Sequence, residues 1–256
     1  MKGRRRGARL ATVATAAAAW LTAGWLALPG AAALPGAAAL PGTAAAPGAA
    51  AAPGECAGGM CRSGASAAPA APAARDLGAT QQAQLNGYFC GPATVSEMLA
   101  QMGRTLPQQR AAAELGTNEA GTGWSDLSGN PVPRVLNQNQ QRNNYVAVAL
   151  PWAPTRSQVR AYERNLVTDI NRRGGVPLAG DADEVPGGPH LVGHPVNQTI
   201  FHWFDIRGYQ QYGALTDYED SVHNAASIGW SATVPAYSTL PSATIVDIIG
   251  ARGYDW

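Results

Sequence analysis

Beyond its first nine residues, the sequence has no cluster of basic side chains. The 256-residue chain has a formal net charge of +1, which becomes −4 when five N-terminal positive charges are left out: Lys2, Arg4, Arg5, Arg6 and Arg9. Nucleic-acid binding requires clustered lysine and arginine to meet the phosphates. The rest of the chain is mildly acidic, which argues against a nucleic acid as partner.

Cysteine is also scarce, with three residues in the chain. Cys56 and Cys61 lie close together in a glycine-rich stretch, where they could pair with each other. In an exported protein, an odd number of cysteines leaves either an intermolecular disulfide or a free reactive thiol. Cys90 stands in a different context and is the candidate for the free thiol.

The N-terminal segment combines its basic cluster with a long uncharged run. Residues 10–28 are apolar and small residues follow at 31–33, which is the pattern of a secretory signal peptide. We expect a signal peptide over residues 1–33, and a secreted or extracytoplasmic protein that is free of the membrane after cleavage and able to associate with the cell wall. A transmembrane anchor is the alternative, because the run is almost long enough to span a bilayer.

Proline and glycine divide the next segment from the body. Five prolines recur every six residues and each is followed by glycine: Pro29, Pro35, Pro41, Pro47 and Pro53. Proline excludes a helix here, and alanine and glycine offer no core to bury. The sequence therefore predicts a disordered linker over residues 34–76 and one domain over residues 77–256, which is long enough for a core of its own.

Cys90 opens a segment with helical periodicity. Apolar side chains recur at helical spacing at Val95, Met98, Leu99 and Met102, and Pro92 suits a first helical turn. The free N–H groups and the dipole of a helix N-terminus favour the thiolate form of a cysteine. A buried structural thiol is the alternative interpretation of Cys90.

The remaining patterns indicate helices first and an antiparallel sheet afterwards. We expect helices over residues 107–115, around 131–141 and over 155–173, and strands over 145–150, 176–179, 199–209 and 214–218. A loop rich in glycine, proline and histidine is expected over residues 181–197. This order is typical of the α+β class.

A thiol needs a base within hydrogen-bond reach and a third group that orients the base. His202 begins an apolar strand and is the candidate base. Asp217 and Asp220 both lie near the end of the next strand and are the candidate orienting acids. Asp205 interrupts the apolar run of the histidine strand, which suggests that one face of this strand is solvated.

Two stretches carry a resemblance to a known family. Residues 86–94 read NGYFCGPAT and residues 202–209 read HWFDIRGY, with Gln84 six residues before Cys90. In this combination the chain resembles the bacteriocin-processing-peptidase-like family of papain-like cysteine peptidases, which includes double-glycine leader peptidases and secreted bacterial relatives. The resemblance covers residues 80–220 approximately.

The resemblance implies a papain-like α+β fold with helices packed on an antiparallel sheet. It makes Cys90 the nucleophile and His202 the base, and gives Gln84 a place in the oxyanion hole. The family places its orienting aspartate in an Asp-Pro pair that this chain lacks. Counting from His202 favours Asp220 over Asp217. Neither a metal nor another cofactor is implied.

The sequence thus predicts a secreted cysteine peptidase that hydrolyses peptide bonds of a peptide or protein substrate through a thioester. An amidase or transpeptidase acting on cell-wall peptides, or a catalytically silent binding module, are the alternatives. His190 and His194 are interpreted as loop residues, because no carboxylate or thiol nearby in the sequence completes a zinc site.

Overall fold

The structure, a computed structural model, describes residues 70–125 and 129–256. The helices are α1 Cys90–Gln101, α2 Gln108–Leu115, α3 Pro131–Asn139, α4 Arg156–Ile170 and α5 Ser242–Ile248. The strands are β1 Arg75–Asp76, β2 Ala147–Ala149, β3 Leu178–Glu184, β4 Ile200–Gln210, β5 Leu215–Glu219, β6 Tyr237–Pro241 and β7 Gly253–Asp255. Short 3-10 helices lie at Gln211–Gly213 and Ser231–Thr233.

All the strands form one antiparallel sheet. Its order is β2-β7-β3-β4-β5-β6, and β1 pairs with the end of β4. Strand β3 pairs with β4 from Ile200 to Ile206, and β5 pairs with β4 from Asp205 onward. The long strand β4 is therefore the centre of the sheet, and it carries His202 near its start.

Helices cover both faces of this sheet. Helices α1, α2 and α3 enclose one apolar cluster, to which β4 contributes Trp203. Helices α4 and α5 enclose the other cluster, to which β4 contributes Phe204 and Ile206. Neighbouring residues of a strand point to opposite faces, so β4 serves two cores at once. The predicted α+β class, with N-terminal helices packed on an antiparallel sheet, is confirmed.

Local sequence accounts for the helix ends. Thr155 caps α4 in a capping box with Gln158, whose side-chain oxygen accepts the Thr155 N–H at 2.8 Å. Asn130 caps α3 by accepting the Val132 N–H at 3.1 Å. Gly116 ends α2 in the left-handed conformation that glycine adopts without strain.

The expected loop over residues 181–197 is corrected at its beginning, because β3 continues to Glu184. Its acidic residues are tolerated inside the sheet because distant groups pair with them. Asp181 accepts a hydrogen bond from Arg252 at 2.8 Å, and Glu184 contacts His194. The structure also adds β6, α5 and β7, for which the sequence led to no prediction.

Residues 72–76, at the end of the segment expected to be a linker, lie along the edge of β4. The Pro72 carbonyl accepts the Tyr209 hydroxyl at 2.9 Å, and the Ala73 carbonyl accepts the Tyr212 N–H at 2.8 Å. Within this segment, β1 pairs with Gly208 and Tyr209, in the part of β4 that β3 does not reach. The expected signal peptide, Cys56, Cys61 and the rest of the linker lie outside the described residues. In the described part of the chain, no helix is both long and apolar enough to cross a membrane.

Candidate active site

Cys90 is the first residue of α1 and a free, buried thiol. The N–H groups of a first helical turn have no acceptor inside the helix, and no side chain caps α1. The next residue, Gly91, packs so closely on Thr122 that a Cβ atom would overlap the threonine side chain. Glycine at this position therefore lets the helix start approach the loop at residues 121–124.

His202 lies between Cys90 and Asp220. Its Nε2 atom is 3.1 Å from Oδ1 of Asp220, and its side chain is within hydrogen-bond reach of the Cys90 thiol. Since Nε2 faces the carboxylate, Nδ1 is the ring nitrogen left for the sulfur. Burial alone would lower the pKa of His202, but the charge and hydrogen bond of Asp220 and the contact with Cys90 hold it well above its ordinary value.

Asp220 follows β5 directly, and both oxygens of its carboxylate have hydrogen-bond partners. Oδ1 accepts the Val222 N–H at 2.9 Å in addition to meeting His202. Its own backbone N–H donates to the Ala236 carbonyl at 3.1 Å. Burial would raise the pKa of this carboxyl, but the charge of His202 and the hydrogen bonds from His194 and His202 hold it below its usual range.

The alternative acid, Asp217, lies elsewhere. Its Oδ1 atom accepts hydrogen bonds from Gln210 at 2.9 Å and from the Thr239 hydroxyl at 2.6 Å. The structure thus brings Cys90, His202 and Asp220 together, and it does not bring Asp217 into this group.

Gln84 is buried beside the same group. Its Nε2 atom donates to the Asn86 carbonyl at 2.7 Å, and its backbone N–H donates to the Ser221 carbonyl at 2.8 Å. An amide nitrogen has two hydrogens, and the Asn86 contact uses one of them. Gln84 lines one cavity together with Cys90 and His202.

Two cavities meet at Cys90. The first, of about 410 Å³, is lined by the loop at residues 121–124 and by Asp181, Phe201, Trp203 and Arg252. The second, of about 310 Å³, is lined by Gln84, His202, Val222 and residues 227–230. The Trp203 indole donates to the Thr122 carbonyl at 3.1 Å and fixes one wall of the first cavity. Cys90 lines both cavities, so an extended chain that occupied both would contact this residue.

His194 lies in a loop, as expected, but the sequence did not predict that two carboxylates pair with it. Its ring is buried, with Nδ1 2.8 Å from Glu184 Oε2 and Nε2 3.0 Å from Asp220 Oδ2. Sequence spacing could not reveal this, because the two carboxylates come from the end of β3 and from the residue after β5. His190 lies in the same loop, as expected, and is half-buried, with ring contacts to the Gly188 and Gln198 carbonyls.

Asp205 was expected on a solvated face of its strand, and the structure corrects this. Asp205 is fully buried and forms an acidic cluster with Glu97 of α1 and Glu219 of β5. Gln101 donates to Asp205 at 2.6 Å and to Glu219 at 3.2 Å. Burial, followed by the charges of the neighbouring carboxylates, raises the pKa of both Asp205 and Glu97 well above the ordinary value.

In the described residues, two groups have ligand atoms close enough to hold a metal ion: Glu97, Asp205 and Glu219, and His194, His202 and Asp220. In the second group both histidines already use Nε2 to contact Asp220. A metal ion there would compete with the hydrogen bond between His202 and Asp220.

Comparisons with known proteins give no family model that matches the chain and no match among curated proteins. Among solved structures, the chain is similar to one described as a C39-like peptidase from Bacillus anthracis, with 12% identity and a TM-score of 0.43 over 71% of this chain and 96% of that one. It is also similar to digestive procathepsin L 3 of Tenebrio molitor larval midgut, with 13% identity and a TM-score of 0.44 over 73% of this chain and 70% of that one. These likenesses assign no activity and no residue role to this chain.

Proposed function

We propose that this chain is a papain-like cysteine peptidase of the bacteriocin-processing-peptidase-like family that hydrolyses peptide bonds through a thioester intermediate. One observation carries the proposal. The thiol at the start of α1 is within reach of His202, whose Nε2 faces the carboxylate of Asp220 at 3.1 Å. The two cavities on either side of Cys90 suit an extended peptide.

In the first half of the reaction, the thiolate of Cys90 attacks the carbonyl carbon of the scissile bond. The developing oxyanion takes hydrogen bonds from the Cys90 N–H and from the Gln84 amide. His202, as imidazolium, then gives its Nδ1 proton to the leaving nitrogen, the C–N bond breaks, and a thioester with Cys90 remains. Asp220 keeps the ring oriented throughout.

The second half regenerates the enzyme. Neutral His202 takes a proton from water as the hydroxyl oxygen attacks the thioester carbon. The C–S bond breaks, the acid leaves, and Cys90 and His202 return as the thiolate and imidazolium. One water molecule is consumed for each bond cleaved.

A peptide-library digest under reducing conditions tests this function. We expect the wild type to release new N- and C-termini, and we expect the Cys90→Ala and His202→Ala variants to release none above background. Cleavage that is unchanged in Cys90→Ala would refute the mechanism. Products joined to an added amine, in place of the free acids, would favour transpeptidation.

We also propose that the protein is exported. The five basic residues before the apolar run at residues 10–28 support this, together with the small residues that follow. Secretion of the full chain should give a mature protein in the medium whose N-terminus lies near residue 34, as determined by N-terminal sequencing. Retention of the uncut chain in the membrane would contradict cleavage.

A further inference from the structure

A second histidine lies directly behind the candidate triad. His194, in the loop after β3, meets Asp220 Oδ2 with Nε2 at 3.0 Å and Glu184 Oε2 with Nδ1 at 2.8 Å. The side chains of His194 and Glu184 are fully buried, and that of Asp220 is 1% exposed. Asp220 is therefore shared by two histidines, one on each of its oxygens.

Two ionised carboxylates beside His194 would need two ring N–H groups as donors. A neutral imidazole carries one N–H, but both ring nitrogens of His194 face carboxylate oxygens. The other oxygen of Glu184 accepts the Leu191 N–H at 2.7 Å, so both oxygens of this side chain are engaged. When Glu184 and Asp220 are both ionised, only the imidazolium form of His194 donates to both of them. Burial would lower the pKa of His194, but the hydrogen bonds to Asp220 and Glu184 hold it above the ordinary value.

Charges then alternate along one continuous chain of groups. In their ionised forms Glu184 and Asp220 are negative and His194 and His202 are positive, and this row of groups ends at the Cys90 sulfur. Each charge has an opposite neighbour, and the two histidine rings are 5.4 Å apart between centroids. The Trp230 ring packs against His194 at 4.8 Å between centroids. Two other titratable groups interact with His202: Asp181, which is paired with Arg252, and Glu97.

We propose that His194, held by Glu184, is a positioning residue of this site: it fixes Asp220 against His202 and adds a second positive charge behind the Cys90–His202 pair. The proposal rests on the proposed function. Because both oxygens of Asp220 are engaged, its carboxylate cannot rotate, and Oδ1 stays aimed at Nε2 of His202. The ring of His202 then keeps Nδ1 towards the sulfur.

The positive charge of His194 should affect the titration of Cys90 and His202, and the sign of this effect can be measured. A cation 5.4 Å from the His202 ring favours loss of a proton from His202 and from the Cys90 thiol. Replacing His194 by a neutral side chain should therefore raise the pH at which the Cys90 thiol loses its proton. It should also raise the pH at which the His202 imidazolium loses its proton. A residue that only fills space would lower the rate without moving either limb of a pH profile.

The test is the rate at which iodoacetamide alkylates Cys90 between pH 4 and pH 10 approximately, followed by mass spectrometry of the peptide that contains Cys90. This readout needs no substrate, so it is independent of the peptidase assay. We expect His194→Gln to shift the profile upward by about one pH unit. His190→Gln is the matched control from the same loop and should overlay the wild type.

Where His194→Gln does not fold, as judged by circular dichroism, Glu184→Gln carries the test. It removes the counter-charge of His194, so the ring becomes neutral while it keeps its hydrogen bond to Asp220. We expect an upward shift here too. If every variant that folds gives a profile that superposes on that of the wild type, the proposal is overturned.

Peptide cleavage supplies a second readout for the positioning role. His194 does not line either cavity described above, so His194→Gln should lower kcat about tenfold or more and leave KM within about twofold. A rise in KM with unchanged kcat would contradict positioning. If the wild type cleaves no peptide while the alkylation shift is present, the proposed function fails and the role of His194 stands.

Discussion

His202 has two nitrogens, and the structure divides them between two partners. Nε2 contacts Asp220 and the ring also reaches Cys90, so the orientation of one imidazole sets the geometry of the whole site. Asp220 determines this orientation and also raises the pKa of His202. The identity of the aspartate beside His202 is therefore decisive for the geometry of the site.

Asp220→Asn removes the charge beside His202 and keeps the size of the side chain. The pKa of His202 should fall, so the basic limb of kcat/KM should move to lower pH and activity should drop about 100-fold. Asp217→Asn, the matched control, changes a carboxylate that contacts Gln210 and Thr239. It should keep activity within about twofold. A larger loss in Asp217→Asn than in Asp220→Asn would contradict this assignment.

Helix α1 and strand β4 are the elements that bring the reacting groups together. The start of α1 carries Cys90, and Gly91 brings this start against the loop that lines the first cavity. Strand β4 carries His202 and is fixed between β3 and β5. The site is built on regular elements, so small changes in helix placement should affect it.

Gly91→Ala places a methyl group against Thr122, with its Cβ 2.6 Å from that of the threonine. The loop or the helix must shift, and we expect a loss of about 1–3 kcal/mol in the free energy of unfolding, measured by urea denaturation. Gly123→Ala, in the same loop, meets no atom within 4 Å and should change stability by less than about 0.5 kcal/mol. Equal stability of the two variants would show that the approach of α1 is not tight.

Local patterns predicted the elements that hold the candidate triad. Periodicity and proline placement predicted α1, and aromatic alternation predicted β4, because these signals lie within one element. The pairing of His194 with Glu184 and Asp220 was not predictable, since it joins residues from different strands. Asp205 was misinterpreted for the same reason: its burial depends on Glu97 and Gln101, which are distant in sequence.

Across the whole molecule, the acidic cluster joins α1 to the centre of the sheet. Glu97 also accepts the Gln82 N–H at 2.7 Å, and Glu219 accepts the Thr80 N–H at 3.0 Å, so the cluster ties in the segment before α1. The raised pKa values of Glu97 and Asp205 mean that the folded protein binds protons that the unfolded chain releases. The free energy of unfolding should therefore decrease as the pH rises.

The sign follows from proton linkage. Above a pH of about 4, the unfolded carboxyls lose protons that the folded cluster keeps, so the stability they contribute is present at low pH and decreases as pH rises towards the folded pKa. The amide side chain of the Asp205→Asn variant cannot ionise, and its N–H groups can still donate to Glu219. Its melting temperature relative to wild type should increase steadily between pH 5 and pH 8 approximately. The control, exposed Asp247→Asn, should show no such trend, and a constant difference for Asp205→Asn would contradict the account.

The proposed mechanism requires Cys90 to be a nucleophile that His202 activates. Its most direct test is the intact mass of the reduced protein after incubation with a peptidyl epoxide that reacts with activated thiols, with the label located by peptide mapping. We predict that one equivalent is added on Cys90 in the wild type, and that labelling of His202→Ala is at least about tenfold slower. Equal labelling of Cys90 in both proteins, or labelling confined to Cys56 and Cys61, would contradict the claim.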